Sequence, residues 1–509
     1  MAIIKNSDRI AKNAFFMYIR MFLMMLITLY TSRVTLNCLG ISDYGIYNIV
    51  GGVVTMFSFI NSSMAGSIQR FLNIAIEKKD NSVFKVFTSS IHIHLLIAIT
   101  VLILAETVGL WFLNNKIQLD SSRIIAANYV YQCSVLSSLI MIVSVPYNAL
   151  IIAEEKMSAF AYISIAEASL KLLVVFILLY LNKYDRLIIY GFLILAVQIT
   201  IRFMYQYYCY RNFAMPSFIW NFDWKLINRI GSFAMWSFIG NLAIIGLTQG
   251  VNIVLNLFFG PVVNAARGLA VQLQNAVQGF AGNFQIAINP QIVKSYVSGN
   301  KSYMYKLITT SSKFSFYVLM ILIIPIAIEI DIILKLWLNE VPNHTGNFVR
   351  LILAISLFES CANSLTTGIN ANGNIKKYQL VIGGVLLLVV PISYGLLKIG
   401  FPAEIVFLVH LIITCIAQFF RLLFAKYLIG ISIKRYFTDV YIRVGVVFVI
   451  SSTVPLVFYY LLPSSFMRLV TVSLVSILSS CTIVYFFGMN KSEKIMVKDK
   501  IVNLINKIR

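Results

Sequence analysis

Charged side chains inside long apolar segments are the residues of this sequence most able to do chemistry. A charge in the middle of a bilayer costs about 2.5 to 3.5 kcal/mol on insertion scales, so such a residue is expected to face water, a counter-charge or a charged ligand. These residues include Arg20, Lys171, Arg202, Arg267 and Arg421, together with Glu106, Glu167 and Glu359. A guanidinium group can hold a phosphate through two hydrogen bonds, so the excess of arginine over acid favours an anionic ligand.

The four arginines differ in their position along the segments. Arg20 is near the middle of the first segment and Arg267 lies on a polar helix face, so we predict that both face a water-filled cavity. Arg202 and Arg421 lie nearer the ends of their segments, where extension of the side chain to the membrane interface explains them equally well. All four are candidate residues for binding a ligand.

The acidic residues are candidates for ion pairing or for coupling transport to an ion. Glu167 precedes Lys171 by four positions, which favours an ion pair on one helix face, while Lys171 also stays a candidate for ligand contact. Glu359 could carry a coupling proton, as could Glu167 or Glu106. The coupling ion, if there is one, is predicted to be a proton or sodium. The six cysteines show no CxxC pairing, so we expect no metal site and no organic cofactor.

Two stretches, one in each half of the chain, carry polar residues at helical spacing. They run from 34 to 71 and from 253 to 291. In each, an apolar segment ending in Leu-Asn-x-x-Gly, or close to it, is followed by a tight turn and a second helix with one polar face. In so apolar a chain, that face is expected to line water. The predicted binding residues here are Asn275 and Gln278 on the second polar face and Asn252 on the segment before it.

The elements that position these residues are predicted from composition. Of the 509 residues, 59% are hydrophobic and only 12% are charged, and the mean hydropathy is +0.85. Apolar segments of about 20 residues recur along the chain, and each is long enough to cross a hydrocarbon core of about 30 Å as a helix. We therefore predict an all-α polytopic membrane protein with about 14 transmembrane helices.

The predicted segments form two repeats of six and a final pair. The first six are 14–31, 44–64, 86–112, 124–150, 159–181 and 187–208; the second six are 232–259, 265–288, 307–330, 348–369, 379–397 and 405–427; the last two are 440–462 and 466–487. The corresponding domains are a six-helix bundle at 1–212, a second at 213–430, and two extra helices with a basic amphipathic tail at 431–509. An even number of spans per repeat predicts a pseudo-two-fold axis along the membrane normal.

The distribution of the basic residues argues against nucleic-acid binding, although the formal net charge is +22. Nucleic-acid-binding residues cluster on one domain face, whereas here loops rich in Lys and Arg alternate with loops that are poor in them. By the positive-inside rule, the rich loops and both termini are predicted to be cytoplasmic. Asp223, in the linker 216–230, is predicted to cap a short helix in the membrane interface.

Several features together resemble the Wzx-type polysaccharide and O-antigen flippases. They are the stretch Leu39-Gly40-Ile41-Ser42-Asp43-Tyr44-Gly45-Ile46-Tyr47, Arg70 after the second segment, Phe233-x-x-Trp236 at the start of the seventh, and the duplicated six-helix plan. These flippases belong to the multidrug/oligosaccharidyl-lipid/polysaccharide (MOP) exporter superfamily, together with the MATE drug exporters. The resemblance covers nearly the whole chain.

The resemblance implies a transporter and not an enzyme. It implies that a cationic cavity, with Arg20 and Arg267, holds the pyrophosphate and sugars of an undecaprenyl-linked oligosaccharide during alternating access across the bacterial inner membrane. The implied partners are this lipid-linked glycan, membrane lipids and possible polysaccharide polymerase machinery. The product pathway would be surface polysaccharide such as O-antigen or capsule.

A MATE-like, cation-coupled drug exporter is the alternative. Such exporters typically have a membrane-embedded carboxylate in the first or seventh span, and neither 14–31 nor 232–259 contains Asp or Glu. A membrane glycosyltransferase or polymerase would need a sizeable outer loop or juxtamembrane acids. The longest loop on that side, around 336–347, has only about ten to fifteen residues.

Overall fold

The computed structural model describes the ranges 13–28, 30–31, 34–35, 38–39, 46–47, 58–78, 82–115, 122–181, 185–213, 223–338, 341–490 and 493–494, together with residue 43. All regular secondary structure in these ranges is helical, which confirms the predicted all-α class. The chain divides into two compact units, Met1–Asn241 with Ile286–Gly299, and Leu242–Gln285 with Asn300–Arg509. The predicted domain boundaries at 212 and 430 stay a prediction.

The first unit is built from helices that precede residue 213, together with both ends of a longer helix, α8 (Trp224–Val297). Its helices are α1 (Asn13–Thr28), α2 (Ser58–Lys78), α3 (Ser82–Leu104), α4 (Leu110–Asn115), α5 (Ile124–Ala153), α6 (Met157–Tyr180) and α7 (Arg186–Asn212). A π-helical segment, Ala105–Gly109, joins α3 to α4. Within this unit α5 packs against α2, α3 and α7, and α6 packs against α7.

The second unit contains the middle of α8 and all later helices. They are α8 (Trp224–Val297), α9 (Lys301–Ile328), α10 (Ile330–Trp337), α11 (Thr345–Asn372), α12 (Lys376–Leu387), α13 (Val389–Lys398), α14 (Ile405–Ile429), α15 (Ile433–Tyr436), α16 (Arg443–Leu461) and α17 (Phe466–Ile483). π-Helical segments precede α16 and follow α17. Helix α11 lies between α9 and α14, and the pair α16 and α17 packs against α9.

Eleven helices in the described ranges are long and apolar enough to cross a membrane, so the chain is a multi-pass membrane protein. The predicted layout of 14 spans is matched only in part. The first predicted span is a shorter helix, Asn13–Thr28. The second predicted span, 44–64, and the basic tail fall largely outside the described residues. The eighth predicted span corresponds to the polar second part of α8, which is not among the eleven.

The segment before the seventh span differs from its prediction. The Asp223 side chain accepts a hydrogen bond from the Leu226 N–H at 3.1 Å, so the predicted cap is confirmed. The helix that it caps is not short, because it continues from Trp224 through the seventh span. The prediction of a separate short helix was therefore wrong; the chain offers no Gly or Pro between 224 and 230 to end the helix.

Close packing holds the second unit together where lipid gives no hydrophobic driving force between helices. At Gly368 on α11, an added Cβ would lie 2.7 Å from the side chain of Ile308 and 3.0 Å from that of Ile429. The small residue thus lets α11 approach α9 and α14 closely, which increases van der Waals contact. These three helices carry many of the polar groups described below.

Gly260 makes the turn that was predicted after the seventh span. Its φ of 75° and ψ of −170° lie in a region that is open essentially to glycine alone. We expect Gly260→Ala to destabilise the protein by about 1 to 3 kcal/mol, measured as a fall in the melting temperature in detergent.

Gly268→Ala is the matched control for this substitution. An added Cβ meets no atom within 4 Å at either Gly260 or Gly268, so the two variants differ in backbone conformation and not in crowding. Gly268 is helical, so alanine there should be neutral or slightly stabilising. Equal melting temperatures for the two variants would contradict a strained turn at Gly260.

Candidate functional site

A polar cavity of about 520 Å³ lies within the second unit. It is bounded mainly by α8, α11 and α14, with apolar side chains from α9 and α12. Its polar lining comprises Thr248, Arg267, Gln274, Asn275, Gln278, Ser356, Glu359, Ser360, Asn363, His410 and Arg421. The volume is within the range of about 300 to 1,000 Å³ that is usual for ligand pockets.

Helical periodicity brings the polar residues of α8 to this cavity. Gln274 and Gln278 are one turn apart, and their Nε2 atoms donate to Ser356 Oγ on α11 at 2.9 and 3.1 Å. Gln278 Nε2 also donates to Glu359 Oε2 at 3.3 Å. Of the predicted polar face of the second stretch, Arg267, Asn275 and Gln278 line the cavity, and Gln278 bonds to polar residues of α11.

Arg267 is a buried residue held in place by the seventh span. Its guanidinium donates to Asn252 Oδ1 through Nη1 and to the Thr248 carbonyl oxygen through Nη2 at 2.9 Å. The residue is 7% exposed, and its Nε–H is buried without a partner among the described residues. A buried donor left unpaired costs about 1 to 3 kcal/mol, which a ligand oxygen or an ordered water would offset. Asn252 thus positions Arg267.

Arg421 reaches the same cavity from α14. Its Nη1 donates to Gln418 Oε1 at 3.1 Å, and its Nε–H is also buried without a partner in the described part of the chain. Glu359 lies within electrostatic range of Arg421. Two guanidinium groups and one carboxyl group therefore line the cavity, so its ionised lining has a net positive charge.

His410 is a cavity residue that the sequence analysis missed. It lies on α14 and lines the cavity with Arg267 and Arg421. Its ring lies within electrostatic range of the Arg267 guanidinium. The available signal was a single histidine within the apolar run IVFLVHLIIT, 405–414, which is unusual because few polar residues occur there.

Three of the predicted residues of the first unit, Arg20, Glu167 and Lys171, form one group. The guanidinium of Arg20 lies over the ring of Phe160, 4.6 Å from its centroid, and Glu167 and Tyr205 are within electrostatic range. Lys171 Nζ donates to Glu167 Oε1 at 2.6 Å, so the predicted ion pair is present. Phe160, Glu167 and Lys171 share one face of α6 because they are spaced by seven and four residues.

Arg202 and Glu106 lie elsewhere in the first unit. The Arg202 guanidinium lies 3.9 Å from the centroid of the Tyr147 ring, a cation–π contact. Glu106 is in the π-helical segment after α3 and accepts a hydrogen bond from Gln132 Nε2 at 3.1 Å. The described contacts bring neither side chain to the Arg20 and Glu167 group. Their roles in ligand binding or coupling stay predictions.

Two buried ionic contacts were also not found from the sequence. Lys313 on α9 pairs with Glu493 at 3.0 Å, and their side chains are 2% and 6% exposed. Glu155, which follows α5 with a positive φ of 59°, accepts hydrogen bonds from Gln291 at 2.7 Å and from Lys294 at 2.8 Å. Lys313 had a sequence signal, since it lies inside the predicted span 307–330, but its partner is 180 positions away.

The fold is similar to that of known transporter structures. A MATE protein in a bent conformation aligns with a TM-score of 0.73 at 11% identity, over 84% of this chain and 96% of that one. An outward-facing multidrug resistance MATE family transporter of the MOP superfamily aligns with a TM-score of 0.72 at 12% identity, over 84% and 96%. The MATE transporter ClbM in complex with Rb+ aligns with a TM-score of 0.67 at 17% identity, over 84% and 97%.

Comparisons with protein-family models and with curated proteins gave no match. Identities of this size establish the fold and not the substrate. The chain is therefore a helical, multi-pass membrane protein with the fold of the MATE transporters, and its second unit holds a cavity with net positive charge. The similarity to the Wzx branch of the superfamily is carried by the sequence motifs alone.

Proposed function

We propose that this protein is a flippase that moves an undecaprenyl-pyrophosphate-linked oligosaccharide across the bacterial inner membrane for the synthesis of surface polysaccharide. The observation that carries the proposal is the cavity in which Arg267 and Arg421 outnumber Glu359. A pyrophosphate group carries about two negative charges at neutral pH, and each guanidinium presents a fork of donors that matches phosphate oxygens. The unpartnered Nε–H groups of both arginines suit such an acceptor.

The other polar groups of the cavity suit a carbohydrate. Gln274, Asn275 and Gln278 on α8 present amide donors and acceptors, and His410 presents an imidazole ring from α14. Sugar hydroxyl groups both donate and accept hydrogen bonds. They therefore match a cavity lined by amide groups better than a cavity lined only by side chains of one charge. The volume of about 520 Å³ suits the pyrophosphate and the first sugars, and not a whole repeat unit.

The transport cycle would follow from the fold class. The head group would cross by alternating access while the polyprenyl chain stays among membrane lipids, and both termini would lie in the cytoplasm. Arg20, Lys171 and Arg202 in the first unit would contact the head group at another stage of the cycle. Polysaccharide polymerase machinery would take the product on the far side.

The decisive experiment identifies the lipid-linked glycans of host cells that lack the protein. Undecaprenyl-linked glycans would be extracted and identified by mass spectrometry, with and without the restored gene. We expect a complete repeat unit to accumulate only when the protein is absent, together with loss of surface polymer. Unchanged lipid-linked glycans in the absence of the protein would contradict the flippase.

A MATE-like drug exporter is the second candidate, and the structural comparisons favour it. Structures described as MATE transporters, one of them a multidrug resistance transporter, share the fold. The cavity also contains a carboxylate, Glu359, which could bind a cation or carry a proton. This candidate predicts that cells without the protein become more sensitive to cationic dyes and accumulate them, with lipid-linked glycans unchanged.

Glu359→Gln tests whether the cavity carboxylate couples transport to an ion. If Glu359 carries a proton, the transport activity of the variant should be at least about tenfold lower than that of the parent. The remaining activity should no longer depend on pH or on a proton gradient. The assay is glycan transport for the flippase and dye efflux for the exporter.

Glu106→Gln and Glu167→Gln are the matched controls, because both carboxylates lie in the first unit, outside this cavity. Loss of gradient dependence in a control, with Glu359→Gln unaffected, would move the coupling site to the first unit. Parental transport by Glu359→Gln, with an unchanged pH profile, would remove Glu359 from the coupling candidates.

A further inference from the structure

Four residues at helix N-termini form two corresponding pairs, one in each unit. In the predicted repeat, the fourth and sixth spans correspond to the tenth and twelfth spans. The N-cap residues of these helices are Arg123 before α5, Asp185 before α7, His344 before α11 and Glu404 before α14. Each unit thus pairs the same two positions, but the basic partner is arginine in the first unit and histidine in the second.

The pair in the first unit is permanently charged. Arg123 Nη1 donates to Asp185 Oδ2 at 2.6 Å, and the same guanidinium also binds Asp43. The hydrogen bond to Asp185 raises the pKa of Arg123 above its ordinary value. Burial would raise the pKa of Asp185, but the hydrogen bonds from Arg123 and from two backbone N–H groups outweigh it, and this pKa lies below its ordinary value. The pair therefore stays ionic throughout the physiological pH range.

The pair in the second unit has a histidine in the place of the arginine. His344 Nδ1 lies 2.7 Å from Glu404 Oε1, and Asn347 Nδ2 donates to the same oxygen at 3.1 Å. The His344 ring stacks on Phe348 with the centroids 5.9 Å apart. Their side chains are partly buried, at 34% exposure for His344 and 18% for Glu404. The ring is thus held against the carboxylate by geometry and not only by charge.

The charged groups beyond this pair belong to one further network. Arg350 Nη1 donates to Asn347 Oδ1 at 3.4 Å, and Arg350 Nη2 donates to Asp331 Oδ2 at 2.8 Å. Arg350 also donates to the Ala327 carbonyl oxygen at 3.1 Å. Arg350 and Asp331 neutralise each other, so among the described contacts Glu404 is the acid that responds directly to the charge of His344.

Burial would raise the pKa of Glu404, but the hydrogen bonds from His344 and Asn347 outweigh it, and the pKa of this carboxyl lies below its ordinary value. Glu404 is therefore ionised at every pH above the range in which glutamate side chains usually titrate. Histidine side chains, in contrast, gain a proton between about pH 8 and pH 5. As pH falls through that window, a hydrogen bond becomes an ion pair and strengthens. It weakens again only when Glu404 itself becomes protonated.

We propose that His344 and Glu404 form a pH-sensitive clasp that holds the start of α11 against the start of α14, and that Arg123 and Asp185 are its pH-independent counterpart. The clasp tightens as the pH on its side of the membrane falls from about 8 to 5. The charge distribution of the loops predicts that this side is not cytoplasmic, so the clasp responds to external pH. It does not depend on which solute the protein carries.

Hydrogen exchange of the full-length protein in lipid nanodiscs tests the clasp. Peptides covering 341–350 and 399–410 would be compared at pH 5.5 and pH 7.5 for the parent, His344→Arg and His344→Gln. Ratios between variants at one pH cancel the intrinsic pH dependence of exchange. At pH 5.5 we expect the peptides of the parent to exchange at the same rate as those of His344→Arg. At pH 7.5 the peptides of the parent should exchange about two- to fivefold faster than those of His344→Arg, and at the same rate as those of His344→Gln.

The first unit supplies a reciprocal variant. Arg123→His should give peptides covering 122–130 and 185–190 a pH dependence that the parent lacks there. Glu404→Gln keeps a hydrogen-bond acceptor but removes the negative charge, so the peptide covering 341–350 should lose its pH-dependent change in exchange. This variant tests the clasp even if a His344 variant fails to fold. A constant ratio of parent to His344→Arg at both pH values, or a parental pH response in Glu404→Gln, would overturn the clasp.

Discussion

Arg267→Ala is expected to reduce transport about 10- to 100-fold. The substitution removes a buried guanidinium that lines the cavity, together with its hydrogen bonds to Asn252 and to the Thr248 carbonyl oxygen. A hydrogen bond to a charged group contributes about 1.5 to 3 kcal/mol, and each 1.4 kcal/mol is a tenfold effect. The measurement is the level of lipid-linked glycan and surface polymer in cells that carry the variant at the parental protein level.

Arg267→Lys separates charge from geometry. Lysine keeps the positive charge but lacks the planar fork of donors that binds Asn252 and Thr248 together. The transport rate of Arg267→Lys should therefore lie between that of Arg267→Ala and that of the parent. Arg211→Ala is the surface control, because Arg211 is exposed at the end of α7 and donates to Tyr207 Oη at 3.3 Å. It should transport normally.

The melting temperature of Arg267→Ala separates loss of binding from loss of folding. A variant that is stable and inactive supports a role of Arg267 in the cavity. A stable variant that transports at the parental rate would exclude Arg267 as a substrate-binding residue, and with it the observation that carries the proposed function.

Glu493→Ala is expected to destabilise the second unit by about 3 to 5 kcal/mol, because it leaves Lys313 buried without its counter-charge. Glu493 accepts hydrogen bonds from Lys313 at 3.0 Å, from Thr310 at 3.1 Å and from the Asn490 N–H at 2.8 Å. These bonds attach the chain after α17 to α9. The measurements are the melting temperature in detergent and the rate of proteolysis between α16 and α17.

A double variant tests whether the loss comes from the unpaired charge. Replacing both partners, Lys313→Met with Glu493→Met, removes both charges from the buried site, so most of the stability should return. Asp331→Ala is the control for an exposed pair: Asp331 is 64% exposed beside Arg350, and its loss should cost about 1 kcal/mol or less. A Glu493→Ala variant as stable as this control would show that the Lys313 charge is compensated in another way.

Transmembrane helices could be predicted from the sequence because their signal is local. The predicted span 124–150 is α5, Ile124–Ala153, and the predicted span 405–427 is α14, Ile405–Ile429. A run of about 20 apolar residues must satisfy its backbone hydrogen bonds within the segment, so composition alone specifies a helix. The same reasoning correctly placed a turn after the seventh span, at Gly260.

The lining of the cavity was predicted only in part. Asn275 and Gln278 were found because the 3.6-residue period of one helix places them on one polar face. That Glu359 and Arg421 meet this face depends on how α11 and α14 pack against α8, and His410 gave only a weak signal. Close packing at Gly368 fixes the approach of α11 to α14, and no local pattern states which helices will meet there.

The sequence by itself determined the helical membrane class, the polar face of α8 and the ion pair of Glu167 with Lys171, because each depends on neighbours within a few turns of one helix. Only the tertiary structure decided that Arg267 and Arg421 share a cavity, that Lys313 pairs with Glu493, and that His344 faces Glu404. Those contacts join residues that are distant in the chain. Their energies depend on the register and spacing of packed helices, which a one-dimensional pattern does not contain.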